Sequence, residues 1–199
     1  MENKRRRVSA LAPDERRAAL IQATIPLLHE HGIDVSTRQI AEAAGVAEGT
    51  IFGVFPDKVS LINAALASAF DPGPMLRALS AIDPGAGLRQ RLIAAAVILY
   101  RRVEASVPLM MLVRTMPSSA ETPFAVMLES RRRLIEAVTA IIEPDRADLR
   151  RSPVTTAGLL FALVASTVRG DLQDAQTFTP DEIVAVLLDG VLIRDPGES

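Results

Sequence analysis

Three times along this chain a hydroxyl residue stands directly before a proline, at Thr122-Pro123, Ser152-Pro153 and Thr179-Pro180. The side-chain oxygen of such a pair accepts from the unpaired amides of a starting helix, and proline fits the first turn, where its missing N–H costs nothing. Thr179-Pro180-Asp181-Glu182 extends one pair into a capping box, and Ser36-Thr37-Arg38-Gln39 forms a second. No stretch sustains the polar–apolar alternation of a half-buried strand. The chain is therefore expected to be all-α.

The spacing predicts helices near 14–31, 37–44, 48–54, 58–70, 74–81, 86–105, 109–116, 122–142, 153–169 and 180–193. Leu88, Leu92, Ala95, Leu99 and Val103 form one apolar stripe at helical spacing, and Phe124, Leu128, Ile135, Val138 and Ile142 form another that includes Arg131. The last two helices are apolar almost all round, so each needs cover on several sides. A second copy of the chain is the natural cover, which predicts a homodimer through Leu160, Val164, Val168, Val184, Leu187, Leu188 and Val191. Asp71-Pro72-Gly73-Pro74 is the clearest break. It divides the chain into an arm and small helical domain (1–57), a connecting helix (58–70) and a larger helical domain (71–199).

Composition narrows the chemistry. With 49% hydrophobic residues, the chain can bury a real core rather than remain disordered. The absence of cysteine removes thiol catalysis, disulfides and cysteine-held metals. His29 and His31 flank Glu30, but an offset of two points them to different helix faces, so no metal site and no cofactor are expected. Neither a signal peptide nor 18 consecutive apolar residues is present; the nearest approach, Ser152–Val168, contains Thr155, Thr156, Ser166 and Thr167. The expectation is a soluble cytoplasmic protein without a membrane partner. A net charge of −2 hides a basic arm in which Lys4, Arg5, Arg6 and Arg7 face only Glu2.

Residues 36–58 read STRQIAEAAGVAEGTIFGVFPDK. A capped helix buries Ile40, Ala41 and Ala44, Gly45 stops it, Val46 plugs the corner, and a second short helix runs on before Pro56. Two short helices about a glycine turn describe a helix-turn-helix, whose second helix can lie in the major groove of duplex DNA. The stretch resembles the TetR family of transcriptional regulators through Ile40-Ala41, Ala44-Gly45-Val46, Gly49-Thr50-Ile51-Phe52, Phe55-Pro56 and Lys58. Leu20 to Gly32 is similar to the family's first helix, and the strong resemblance covers roughly residues 14–70.

That resemblance implies a helical homodimer on a palindromic operator, usually a repressor, released when a small effector enters the C-terminal domain. By matching position, Thr37 and Lys58 would contact phosphates, Thr50 a phosphate or base edge, and Gly49 would admit close approach of its backbone. Arg38 is the candidate for reading guanine, and Arg5, Arg6 and Arg7 for entering the minor groove. Phe52, Gly53 and Val54 depart from the family pattern, which often has a tyrosine at the first position. They leave Glu48 and Thr50 as the polar side chains of the recognition helix, so weaker base reading is expected there. Pro26 inside the first helix removes one backbone donor and should kink it.

Tyr100, Met110, Met111, Phe124, Met127 and Phe161 lie on helices expected to enclose an apolar effector pocket. Arg114 and Arg131 interrupt apolar surroundings, so each needs either an internal carboxylate such as Glu104 or Glu129 or an acidic group on a ligand. Two other readings remain open. One is a helix-turn-helix protein that works through protein partners. The other is a small helical enzyme with an apolar cavity, for which no Ser–His or carboxylate-pair constellation is evident.

Overall fold

The computed structural model describes residues 12–115, 123–170 and 178–191. The arm containing Arg5, Arg6 and Arg7, and the Thr122 cap, lie outside the described residues. Those described form nine α-helices and no strand: α1 (Pro13–His31), α2 (Thr37–Ala43), α3 (Gly49–Phe52), α4 (Lys58–Ala69), α5 (Gly73–Ser80), α6 (Leu88–Thr115), α7 (Pro123–Ile142), α8 (Pro153–Arg169) and α9 (Pro180–Val191). Two short 3₁₀ turns, Gly32–Asp34 and Glu143–Asp148, were not foreseen from periodicity. The chain divides into two compact units, Met1–Ala69 and Phe70–Ser199. The helix expected as a connector thus falls in the first unit.

In the first unit α1 packs on α2 and α4. Leu20, Leu28, Ile40, Ile51, Phe55, Leu61 and Leu66 are buried there. Pro26 is carried inside α1, which runs on through it to His31. Thr24, fully buried, avoids an unmet hydroxyl by donating to the Leu20 carbonyl one turn earlier at 2.7 Å.

In the second unit α6 packs against α5, α7, α8 and α9. Two predicted helices, 86–105 and 109–116, are one: α6 continues through Pro108 for 28 residues. The reason is packing, because Val103, Ser106, Leu109 and Val113 are all buried and hold the two halves on one course. Ser152 caps α8 through the Thr155 amide at 3.3 Å, and Gly170 closes it in the left-handed conformation at φ 69°. Thr179 and Glu182 cap α9 reciprocally, as predicted, at 2.8 and 3.3 Å. The Thr179 amide and, at 2.9 Å, its hydroxyl both donate to Glu182 Oε2 and hold that carboxyl below its usual pKa.

The predicted dimer face needs correction. Leu160, Val164, Val184, Leu187, Leu188 and Val191 are buried within the chain's own core beside Leu92, Leu99, Leu134 and Val138, with Val168 packed against its edge. The second copy is not what covers them; α6 and α7 are. The large apolar residues that α8 and α9 leave exposed are Val154, Leu159 and Val186.

A buried ion pair fixes one end of this unit. The Arg91 side chain is only 6% exposed, donates to the Pro84 carbonyl at 3.2 Å, and pairs with Asp145 in the second 3₁₀ turn. It clasps the α5–α6 loop to the segment after α7.

Candidate functional site

The helix-turn-helix forms as its sequence dictates. Ser36 caps α2: the Gln39 amide donates to its hydroxyl at 3.2 Å, and the Ser36 amide donates to Gln39 Oε1 at 2.8 Å. Gly45 sits at φ 67°, a left-handed conformation that side-chain-bearing residues avoid. The chain then turns so that the Val46 amide donates to the Ala41 carbonyl at 3.0 Å. Ile51 and Phe55 are buried and anchor α3 from beneath. Glu48, Gly49 and Phe52 remain exposed, Phe52 at 55%, while Thr50 is half-buried.

At the next helix start, the Ser60 amide donates to Asp57 Oδ1 at 2.7 Å. The same bond holds the Asp57 carboxyl below its ordinary pKa. Lys58, the first residue of α4, is half-buried. Arg38 on α2 is exposed. The exposed or half-exposed side chains of residues 37–58 thus combine two cations, Arg38 and Lys58, with the acids Glu42, Glu48 and Asp57.

Two features were not read from the sequence. The Thr37 hydroxyl donates to Glu48 Oε1 at 2.5 Å, so the group assigned to a phosphate is already engaged by the recognition helix. A phosphate must displace that carboxylate to accept from Thr37. Eleven residues separate the two, so no local spacing signals the bond. In addition, the Arg17 guanidinium lies over the Phe55 ring, 4.3 Å from its centroid, a cation–π contact joining α1 to the end of the motif.

The second unit holds a cavity of about 120 Å³ between α6, α7 and α8. Four of the predicted effector residues, Met110, Met127, Arg131 and Phe161, line it. Tyr100, Met111, Arg114 and Phe124 are not among its lining residues. Tyr100 instead packs at the core edge, and Met111, Arg114 and Phe124 are exposed. The acid proposed for Arg131 is taken, because Glu129 pairs with Arg132 at 2.6 Å. Arg131 instead stacks 5.2 Å over the Phe161 ring. Phe70, Arg102, Ser106 and Arg169 complete much of the wall and were missed as a set. Arg102, Ser106 and Met110 recur every fourth residue of α6, a spacing that puts them on one face. The polarity of Arg102 and Ser106 disguised that face as solvent-exposed.

A second cavity of about 330 Å³ lies where α5 meets α7. Its one charged lining side chain is Arg91, already paired with Asp145. Among the described residues, no cluster of histidine and acidic side chains could hold a metal, and no helix is long and apolar enough to cross a membrane.

Known proteins match both units. Residues 20–65 match the family model of bacterial regulatory proteins, tetR family. The HTH-type transcriptional repressor KstR of Rhodococcus jostii is 42% identical over 65 residues, 32% of this chain and 31% of that protein. The match to this curated relative therefore spans about a third of its length. Over nearly the whole chain the fold is that of solved TetR-type regulators. One from Mesorhizobium loti, 15% identical, gives a TM-score of 0.71 over 92% of this chain and 100% of its own. A transcriptional regulator from Rhodococcus sp. RHA1, 18% identical, gives 0.64 over 90% and 99%.

Proposed function

We propose that this chain, whose residues 20–65 match the family model of bacterial regulatory proteins, tetR family, is a ligand-responsive transcriptional regulator that binds duplex DNA. One observation carries the reading: a glycine-stopped α2 leads into a short α3 whose Ile51 turns inward, while Gly49 and Phe52, with Glu48 at its start, face outward. Those outward positions are free to enter a major groove. The repressor matched at 42% identity supports repression as the default mode. The named relatives are regulators rather than enzymes.

In this mechanism two chains pair through the exposed residues of α8 and α9 and place their α3 helices about 34–36 Å apart, one turn of DNA. Lys58 and the amides opening α4 hold a phosphate, Arg38 reaches a guanine edge, and the arm Arg5–Arg7 follows the minor groove. Gly49 lets the backbone approach the duplex. An effector in the cavity of the second unit presses on Phe70, the residue directly after α4, and so changes the spacing of the two heads. A coupling of about 1–3 kcal/mol, or roughly 5–150-fold in operator affinity, is the usual size of such a switch.

Lys58→Ala tests the DNA reading. It should weaken binding to every duplex alike and lower the slope of log affinity against log salt by about one for each phosphate that the side chain neutralised. An unchanged slope with unchanged affinity removes Lys58 from the interface.

A further inference from the structure

The bond between Thr37 and Glu48 redefines both residues. Thr37 has one hydroxyl proton, and it is given to Glu48 Oε1 at 2.5 Å. A phosphodiester only accepts, so Thr37 serves either the carboxylate or a phosphate. Thr37 is itself held firmly. It opens α2 directly after Ser36, whose capping box with Gln39 fixes the helix start.

Glu48 stands immediately before α3, yet its side chain makes no capping bond to the amides of that helix. Capping is the common use of a short polar side chain at such a position. The carboxylate instead reaches back eleven residues to α2 and stays exposed. A long side chain loses rotamer freedom when a partner orders it. Here the fold has already restricted it, so less remains to be lost on binding.

The groove decides what such a group can recognise. Residues at the start of a recognition helix contact base edges. A carboxylate only accepts, and it has about four lone-pair directions, so the Thr37 bond leaves capacity for a second donor. The donors in the major groove are the amino groups of cytosine and adenine. Adenine sets the acceptor N7 beside its amino group, where it repels the second carboxylate oxygen. Cytosine has a ring C–H there and repels nothing.

We propose that Glu48 is a specificity-determining residue that accepts from the N4 amino group of a cytosine, with Thr37 as its positioning residue rather than a phosphate ligand. The assignment rests on reading residues 36–58 as a DNA-binding helix-turn-helix. It also gives a reason for an acid on this face. The charge weakens binding to every duplex, and a correctly placed cytosine offsets that loss at the right sites alone.

Selection by the full chain from duplexes randomised over about 20 base pairs, two helical turns, tests the proposal. The enriched motif should contain a cytosine preferred about tenfold over other bases at its position. Glu48 is exposed and caps nothing, so its variants should fold. Glu48→Ala should erase that one preference and leave the rest of the motif unchanged. Glu48→Gln should move it to adenine, whose N6 and N7 match an amide. Thr37→Val should weaken the cytosine preference, and Thr37→Ser should restore it. A motif that both Glu48 variants leave unchanged overturns the proposal, even if all duplexes bind them more tightly, while the regulator reading stands. Thr37→Val that weakens all sequences alike returns Thr37 to a phosphate and overturns its positioning role. No enriched motif from the parent chain overturns both the proposal and the regulator reading.

Discussion

At the scale of single residues, the recognition surface turns on side chains too small or too short to fill it. A Cβ placed on Gly49 would meet nothing within 4 Å, so the fold does not require glycine there. Its φ is not in the left-handed region either, in contrast to Gly45 at 67°. Gly49→Ala should therefore keep or slightly raise thermal stability, since glycine costs a helix up to about 1 kcal/mol relative to alanine. If the backbone at Gly49 touches a phosphate, the same variant should weaken DNA binding by about tenfold, the worth of one hydrogen bond to a charged group. A variant that is stable and binds DNA unchanged places the duplex elsewhere. Glu48 is the counterweight. Its bond to Thr37 keeps a carboxylate on the surface proposed to meet phosphates, a cost that sequence spacing alone did not reveal.

At the scale of elements, the helices most legible in the sequence are those with chemistry at their ends. Ser36, Ser152 and Thr179 each stand where a helix begins, and Gly45 turns the chain where α2 stops. Less legible were features set by packing between helices. The spacing predicts two helices, 86–105 and 109–116, yet burial on both sides of Pro108 keeps α6 whole. Likewise the all-apolar faces of α8 and α9 suggested an interface, although α6 and α7 already cover them. The Arg91–Asp145 pair belongs to the same class, since 54 residues separate its members. Removing one partner leaves a buried charge uncompensated. Asp145→Ala should therefore destabilise the protein by about 3 kcal/mol, measurable as a fall in denaturation midpoint. Replacing both by apolar residues, Arg91→Met with Asp145→Leu, should recover most of that loss. A single variant as stable as the parent means that water reaches Arg91 and the pair is not a clasp.

At the scale of the assembly, the proposed operator binding calls for two copies acting on one duplex. Leu159 and Val186 are 42% and 55% exposed on the two terminal helices, apolar positions with no cover in a single chain. Leu159→Glu with Val186→Glu should turn a two-chain species into a monomer by sedimentation and abolish high-affinity operator binding. A variant that still sediments as two chains relocates the interface. Whether the glycine-turned helices of the first unit bind duplex DNA by sequence is decided by fluorescence anisotropy. The duplex preceding the protein's own gene is compared with a scrambled duplex across a salt series. Two chains should bind per duplex, with affinity falling linearly with log salt and a preference for the native duplex of at least about a thousandfold. Equal, weak binding to both duplexes, or none to either, would overturn the regulator reading.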